Sequence, residues 1–272
     1  MFNGFYYKYK YFRKRNRILN TYTGKDDFFL VSYPKSGNTW VRILVANLLQ
    51  EDNNEISLHN IGDYLPDTYI IDQLNSYQKK ENGGINNTKI NIYKSHDPYI
   101  SYFKDKKVLY IARDGRDAIT SYFYYLKARK KNNPSIKELI NGSNSMPIGN
   151  WGDHIRGWIN GKCAAKLIVR YEDLLNDTSK ELNRIAHFLS LKVSVEQINS
   201  AVQKSEFQRL KLLEKKYGYY RDNRLNSERE NAFMRKGSKG DSKRVFTLDE
   251  TKLFIEKHKE SMKLIGYFDE NQ

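Results

Sequence analysis

Residues 32–40 have the composition of an anion-binding loop. Their sequence is Ser-Tyr-Pro-Lys-Ser-Gly-Asn-Thr-Trp, and they lie between the apolar run 28–31 and a helical pattern that begins at Trp40. The first turn of a helix leaves backbone N–H groups without partners and adds partial positive charge, which favours an anion there. Lys35 adds a full positive charge, and Gly37 lets the backbone approach a ligand closely.

This loop differs from the Walker A loop, because its lysine precedes its glycine. A magnesium nucleoside triphosphate is therefore not the first ligand to expect. Taken alone, the stretch is also compatible with an ordinary strand-to-helix turn.

A second group of candidate anion-binding residues follows another apolar run, at residues 108–112. The side chains and the backbone amide expected around one phosphate are those of Arg113, Ser121, Arg235, Lys236 and Gly237. Taken singly, Arg113 fits a surface salt bridge to Asp117 equally well, and Ser121 fits a solvent-facing helix position. Two separate anion sites favour a nucleoside with phosphates at both ends over one polyphosphate tail.

His96 is the candidate general base. It lies in the sequence Tyr-Lys-Ser-His-Asp-Pro at 93–98, where a short strand runs into a turn, and it is expected near Lys35. The ordinary pKa of histidine suits proton transfer near neutrality, and a positioned base contributes about a hundredfold or more. The other histidines are interpreted as structural; they are His59, His154, His187 and His258.

Apolar runs alternate with helical patterns along most of the chain. Strands are predicted at 28–31, 93–95, 108–112 and 166–171, the last as a buried strand. Helices are predicted from Trp40, after residue 117, over 179–189 and through 253–264, and residues 53–91 are predicted to be loops with one short helix. This alternation predicts an α/β fold, a single domain with a central parallel sheet flanked by helices. Ligands of such sheets bind beyond the carboxyl ends of the strands, where Lys35, Arg113 and Tyr171 would emerge.

Composition narrows the class of protein. The chain has 272 residues, a formal charge of +15 and one cysteine, Cys163. The length suits one substantial core, and a single cysteine cannot form an internal disulfide. No secretory or membrane-spanning apolar run is recognised, so a cytoplasmic protein is expected. The positive charge is compatible with binding to nucleic acid, to an anionic membrane surface or to a strongly anionic small molecule. It does not distinguish among these three kinds of partner.

The first 20 residues combine aromatic and basic side chains with no acidic one. This composition fits weak contact with a membrane surface, or RNA binding. The interpretation that we favour is a basic terminal segment whose aromatic side chains pack onto the domain. We predict an N-terminal segment at residues 1–24 and the domain at residues 25–272.

Taken together, the motifs resemble those of the cytosolic sulfotransferases, which use 3′-phosphoadenosine 5′-phosphosulfate (PAPS). The matching motifs occur in the family's order at 33–40, 94–96, 113–117 with Ser121, 171–173, and 233–237 with 240–241. The resemblance implies a P-loop-like fold and transfer of a sulfuryl group to a hydroxyl of a small acceptor. It also implies that no metal and no stable nucleic-acid partner are needed.

The resemblance assigns a role to each candidate residue. The 5′-phosphosulfate would be bound by Lys35, Ser36, Gly37, Asn38 and Thr39. The 3′-phosphate would be bound by Arg113, Ser121, Arg235, Lys236 and Gly237. The adenine would be enclosed by Trp40, Tyr171, Ser205, Phe207 and Phe233. His96 would be the catalytic base, with Lys35 neutralising the leaving phosphate and Lys94 stabilising charge on the transferred group.

The chain departs from the family pattern at three positions. Asn38 replaces a more usual threonine, although an amide can still donate to a phosphate oxygen. Residues 235–243 form a glycine-broken basic stretch, called the basic loop below. Ser242 of this loop stands where a tryptophan is common, which removes an apolar anchor. Lys252 stands where the family's C-terminal dimer motif has an acid, so the motif is incomplete and does not support dimerisation by that route.

Two other functions compete with this one. A nucleotide kinase of related architecture lacks support because neither a Walker A loop nor a set of lid arginines is present. A basic-aromatic RNA-binding module would leave the Lys-Ser-His sequence at 94–96 unexplained. The acceptor, a phenol, an alcohol or a sugar, is expected to bind among residues 60–90, 141–158 and 214–232. Tyr217, Tyr219 and Tyr220 fit a lid over this site and fit packed surface positions equally well.

Overall fold

The central sheet is built from four parallel strands within the part of the chain that the computed structural model describes. That part comprises residues 2–50, 54–79, 90–129, 134–142, 148–219 and 233–268. The strands are β1 (Phe28–Ser32), β2 (Ile92–Ser95), β3 (Lys107–Ala112) and β4 (Ala165–Arg170), in the spatial order β2-β1-β3-β4. Phe28 pairs with Ile92 on one side and with Lys107 on the other. The predicted α/β class with a parallel sheet is confirmed.

Helices connect and cover the strands. They are α1 (Phe2–Tyr22), α2 (Asn38–Leu49), α3 (Ile71–Gln78), α4 (Gly115–Ala128), α5 (Ile136–Asn141), α6 (Trp151–Asn160), α7 (Tyr171–Asn176), α8 (Thr178–Phe188), α9 (Val195–Lys204), α10 (Phe207–Tyr217) and α11 (Leu248–Leu264). Short 3₁₀ segments occur at Ile61–Asp63, Ser101–Asp105 and Asp241–Arg244. No helix of the described residues is both long and apolar enough to cross a membrane.

The sheet separates two hydrophobic cores because successive strand residues point to opposite faces. Phe28 and Leu30 of β1 belong to one core, which is filled largely by α2, α8 and α9. Phe29 and Val31 belong to the other, which holds Leu19 and the side chains of α4, α5, α6 and α11. Both faces of β1 are therefore covered, which explains its continuous apolar sequence.

Two predicted elements differ from the structure. The strand predicted at 166–171 ends at Arg170, and Tyr171 begins α7. This strand is only partly buried, because β4 lies at the edge of the sheet and only Val169 is fully covered. The stretch 53–91 contains the 3₁₀ turn at 61–63 in addition to the single short helix that was expected.

The N-terminal segment forms a helix that contacts the domain. Leu19 of α1 is fully buried, and Arg15 is 3% exposed. Tyr11 and Phe12 are half-buried. The boundary at residues 24 and 25 stays a prediction.

Candidate active site

The loop between β1 and α2 has the backbone of an anion cradle. Lys35 and Gly37 both have left-handed backbone angles, with φ of 63° and 96°. A side chain at Gly37 would bring its Cβ to 2.5 Å from the ring of Tyr171, so the close approach requires glycine. The hydroxyl of Ser36 is buried and has no hydrogen-bond partner among the residues that the structure describes. A buried hydroxyl without a partner and the free N–H groups of the helix start suit an anionic ligand.

The ammonium group of Lys35 lies among aromatic rings and other cations. Its Nζ is 3.7 Å from the ring centroid of Phe233 and 4.7 Å from that of Tyr125. Burial, together with the positive charges of Arg113 and Arg129, lowers the pKa of Lys35 to about 7. An anion in this loop would remove the repulsion between these cations, so the site favours a negatively charged ligand.

His96 follows β2 directly, at the carboxyl end of the sheet, where β1 also ends. Its Nδ1 is 2.7 Å from the carbonyl oxygen of Ser32, which can only accept a hydrogen bond. The ring hydrogen therefore lies on Nδ1, and Nε2 is left as the basic nitrogen. Burial and the nearby charge of Lys94 lower the pKa of His96 well below 6.5, so the ring is neutral at pH 7. A neutral, oriented imidazole is the form that can accept a proton.

Lys94 forms an ion pair beside His96. Its Nζ is 2.7 Å from Oδ2 of Asp67, and both side chains are largely buried. Burial opposes the charge of each partner, yet Lys94 and Arg42 together hold the pKa of Asp67 below its ordinary value. Burial also lowers the pKa of Lys94, and Asp67 opposes that change. This pairing could not be predicted from the sequence, since Asp67 lies in a polar stretch with no motif.

Arg113 joins the two candidate anion-binding loops. It donates from Nη1 to the carbonyl of Lys35 and from Nη2 to the carbonyl of Ser238, at 3.0 Å each. Its guanidinium carbon is 4.4 Å from the ring centroid of Tyr171, and its Nε has no hydrogen-bond partner in the described part of the chain. The alternative salt bridge between Arg113 and Asp117 is not formed. Asp117 instead accepts hydrogen bonds from the backbone amides that begin the 3₁₀ segment at 241–244.

The basic loop brings Arg235 and Lys236 together around one carboxylate. Lys236 donates to Oδ1 of Asp241 at 2.5 Å, and Arg235 donates to its other oxygen. Nε of Arg235 is buried, and no described residue forms a hydrogen bond with it. Gly237 has a φ of 64°, and a Cβ there would lie 2.4 Å from the ring of Phe207. Asp241 therefore holds both cations close together in this loop.

A single cavity of about 760 Å³ contains nearly all the predicted site residues. Its lining includes Lys35, Gly37, Asn38, Thr39, Trp40, Lys94, His96, Arg113, Ser121, Tyr171, Phe207, Phe233, Arg235, Lys236 and Gly237. Ser36 and Ser205 are buried and do not contribute to this lining. The 33–40, 94–96, 113–121 and 233–237 motifs thus meet at one place, as the fold class predicted.

Three side chains assigned to the cofactor make other contacts. The amide of Asn38, at the start of α2, donates to the hydroxyl of Ser32, at the end of β1, at 3.2 Å. The Ser205 hydroxyl accepts from Nδ2 of Asn47 at 3.1 Å, and its backbone carbonyl accepts from Trp40. Phe233 lies against Lys35 and stacks on Tyr219 with 4.8 Å between ring centroids. These contacts hold the walls of the cavity together.

The wall expected to bind the acceptor agrees in part with the prediction. Asp67, Tyr69 and Ile70 line the cavity from the first predicted stretch, and Tyr219 lines it from the third. Additional lining residues that sequence reasoning missed are Arg42, Tyr122, Tyr125, Leu126, Arg129, Pro134 and Glu138. The helical spacing of Tyr122, Tyr125 and Leu126 could have indicated a common face of α4. Residues 80–89, 143–147 and 220–232, which include the predicted lid residue Tyr220, lie outside the described residues.

Metal ligands were not expected from the sequence. The described residues contain no group of three or more histidine, cysteine or acidic side chains placed to hold a metal ion.

Comparisons with known proteins agree on one family. A model of the sulfotransferase domain matches residues 25–266. Sulfotransferase 1E1 of Mus musculus is 28% identical over 249 residues, which cover 88% of this chain and 84% of that protein. Sulfotransferase 2B1 of Mus musculus is 30% identical over 252 residues, which cover 87% of this chain and 71% of that protein.

Solved structures show the same fold. Mouse sulfotransferase SULT7A1, complexed with PAP, superposes with a TM-score of 0.67 at 24% identity, covering 92% of each chain. Retinol dehydratase, in complex with androsterone and the inactive cofactor PAP, superposes with a TM-score of 0.69 at 22% identity. That match covers 96% of this chain and 88% of the other.

Proposed function

The chain belongs to the sulfotransferase domain family, and from this premise we propose that it transfers a sulfuryl group from PAPS to a hydroxyl of a small acceptor. The family membership predicted from the motifs is confirmed, and the protein is an enzyme of the transferase class. The products are a sulfate ester and adenosine 3′,5′-bisphosphate. The acceptor class is a phenol, an alcohol or a sugar.

The residues of the cavity suit a ligand with an anion at each end. Arg113 and Arg235 line the cavity, and Nε of each is buried with no hydrogen-bond partner among the described residues. The Ser36 hydroxyl, which is buried in the 32–40 loop and does not line the cavity, also has no partner there. Gly37 and Gly237 leave space in both loops that a Cβ would fill. The loop at 35–39 would hold the 5′ end, and Arg113, Ser121 and the basic loop would hold the 3′-phosphate. When bound, PAPS supplies the sulfuryl group and leaves as the bisphosphate.

Aromatic side chains between these two ends would contact the adenine. Trp40 and Tyr171 meet edge to face with 5.8 Å between ring centroids, and both line the cavity. Phe207 lies against Gly237 on the opposite loop. Flat apolar faces of this kind bind a nucleobase by stacking. Ser205 supports this wall through its carbonyl contact with Trp40.

Proton transfer is assigned to His96. Its Nδ1–H is committed to the Ser32 carbonyl, so Nε2 accepts the proton of the acceptor hydroxyl. The hydroxyl oxygen then bonds to sulfur while the bond from sulfur to the phosphate oxygen breaks. Lys35 neutralises the negative charge that develops on that phosphate oxygen, and Lys94 stabilises charge on the transferred group. The observation that carries the proposal is the oriented, neutral His96 in the same cavity as Lys35.

Thermal stability with candidate ligands tests the donor site. A ligand that binds only the native state raises its stability, by about 2.7 kcal/mol at a hundredfold excess over Kd. We expect adenosine 3′,5′-bisphosphate to raise the melting temperature more than AMP or magnesium-ATP at equal concentration. No shift with the bisphosphate, or a larger shift with magnesium-ATP, would contradict the assignment of PAPS as donor.

The competing functions have less support. Neither a kinase nor an RNA-binding module is the family that the chain matches. The basic residues offered for RNA binding are also partly engaged within the protein. Arg15 pairs with Asp97, and Arg235 and Lys236 pair with Asp241.

A further inference from the structure

A fully buried carboxylate follows the proposed catalytic base. Asp97 has no solvent exposure and accepts hydrogen bonds from four different residues, the longest of them from the Tyr11 hydroxyl at 3.5 Å. Nε and Nη2 of Arg15 donate to it at 2.9 and 2.6 Å, the Tyr69 hydroxyl at 2.7 Å, and the Ser95 hydroxyl at 2.6 Å. A buried carboxylate is stable only when it is paired and its lone pairs are satisfied, and here both conditions are met.

Arg15 reaches this carboxylate from the N-terminal helix. It is 3% exposed, although arginine is seldom fully buried. Its Nη1 donates to the carbonyl of Thr68 at 2.7 Å, and its Nη2 also donates to the Thr68 hydroxyl at 2.8 Å. Its guanidinium carbon is 4.0 Å from the ring centroid of Tyr69. One side chain thus connects α1, the segment 68–69 and the residue that follows His96.

These contacts fix the main chain around His96. The backbone N–H of Asp97 donates to the Ser95 hydroxyl at 2.9 Å, and its carbonyl accepts from Nε1 of Trp158 at 3.0 Å. The His96 ring is held on its other side by the Ser32 carbonyl. A rotation of the 95–97 turn would therefore move the imidazole, and Asp97 is the anchor that opposes it.

Arg15 and Asp97 also support the acceptor side of the cavity, through Tyr69. Tyr69 lines the cavity together with His96 and Lys94. Its hydroxyl is held by Asp97, and its ring lies on the guanidinium of Arg15. The hydroxyl of Tyr11, also on α1, donates to the Tyr69 hydroxyl at 3.0 Å. The N-terminal helix is therefore connected to a wall of the proposed acceptor site.

We propose that Arg15 is a positioning residue for sulfuryl transfer, which acts by holding Asp97 and Tyr69 and through them His96. This inference rests on the proposed function, because it assigns Arg15 an effect on the proposed base. It gives the basic N-terminal helix a part in the reaction that its composition did not indicate. None of the hydrogen bonds of Arg15 involves the two anion-binding loops, so donor binding is expected to be independent of it.

The test compares Arg15→Met and Arg15→Lys with Arg17→Met, an exposed position on the same helix. For each protein, the concentration of binding-competent sites is first measured by calorimetric titration with adenosine 3′,5′-bisphosphate. The rate of product formation per competent site is then measured with PAPS and a phenol, both at saturation. This normalisation removes the effect of any unfolded fraction, so a merely structural role would leave the rate per site unchanged.

We expect Arg15→Met to lower this rate at least tenfold while the bisphosphate Kd stays within twofold. Arg15→Lys keeps the positive charge and loses the forked geometry, so it is expected to restore part of the rate. Arg17→Met is expected to keep the rate of the unmodified protein. If Arg15→Met does not fold, Arg15→Lys alone tests the positioning role, and we then expect its rate per competent site to be at least threefold below that of the unmodified protein.

Unchanged rates per site in Arg15→Lys, and in Arg15→Met where it folds, would overturn the positioning role and leave the proposed function standing. Absence of bisphosphate binding or of PAPS turnover in the unmodified protein would instead overturn the proposed function. The two failures are therefore distinguished by the unmodified protein alone.

Discussion

Binding of the bisphosphate should be linked to protonation of Lys35. In the ligand-free protein, burial and neighbouring cations lower the pKa of Lys35 to about 7. A phosphate bound beside the ammonium group favours its charged form and returns its pKa toward the ordinary value of about 10.4. Above pH 7, binding must then be accompanied by proton uptake, so affinity falls as pH rises.

The size of the effect follows from the two pKa values. With a free pKa of about 7, the protonated fraction of Lys35 falls from about one half at pH 7 to about 1% at pH 9. The bisphosphate Kd should therefore rise roughly 50-fold between these pH values, equivalent to about 2 kcal/mol at about 1.36 kcal/mol per pKa unit. The phosphates of the ligand titrate near pH 6 and are already ionised in this range.

Isothermal titration calorimetry measures both parts of the prediction. Titrations at pH 7, 8 and 9 give the change in Kd. Titrations at pH 8 in two buffers of different ionisation enthalpy give the number of protons taken up, expected to be about 0.9 from the same two pKa values. Lys35→Met is the control, and it should bind more weakly with neither pH dependence nor proton uptake in this range.

A Kd that stays constant from pH 7 to 9, with uptake of fewer than about 0.2 protons, would refute the reasoning. The same pH dependence in Lys35→Met would assign the proton to another group.

Two glycine substitutions test the geometry, each with a matched control. Gly237→Ala meets the Phe207 ring at 2.4 Å, so we expect bisphosphate affinity to fall about tenfold or more by calorimetry. Gly218→Ala, which has a similar φ of 74° and open space around it, should keep affinity within about twofold; an equal loss in both would contradict the role of the contact. Gly115→Ala meets Trp151 at 2.4 Å and should lower the free energy of unfolding by about 1–3 kcal/mol in urea denaturation. Gly157→Ala, inside α6 with its nearest neighbour at 3.4 Å, should instead raise it by about 0.5–1 kcal/mol; destabilisation there would count against the packing argument.

The sequence predicted the parts of the fold that depend on local patterns. The apolar runs at 28–31 and 108–112 form strands. Helices cover both faces of these strands, so their sequences are continuously apolar. The run that became β4 was predicted to be buried, but local composition does not reveal which strand lies at an edge. Edge position depends on the strand order, which is fixed by the packing of the whole chain.

The site was predictable where motifs follow strands. Lys35, His96 and Arg113 each come directly after a strand or in the loop that follows it. The parallel sheet therefore brings them together at the carboxyl ends of its strands. The pairings of Lys94 with Asp67 and of Arg15 with Asp97 were not predictable in the same way. The members of each pair are separated by 27 and 82 residues, and no periodic pattern connects them.

The most direct test of the account is the release of adenosine 3′,5′-bisphosphate from PAPS by the unmodified protein and by His96→Ala. The assay is run with and without a panel of phenols and aliphatic alcohols. We predict acceptor-dependent release by the unmodified protein and a loss of at least about a hundredfold in His96→Ala, with bisphosphate affinity retained within a few-fold. Equal acceptor-dependent turnover by the two proteins would contradict the assignment of His96 as the base. Absence of acceptor-dependent release from the unmodified protein across the panel would contradict hydroxyl sulfation by this chain.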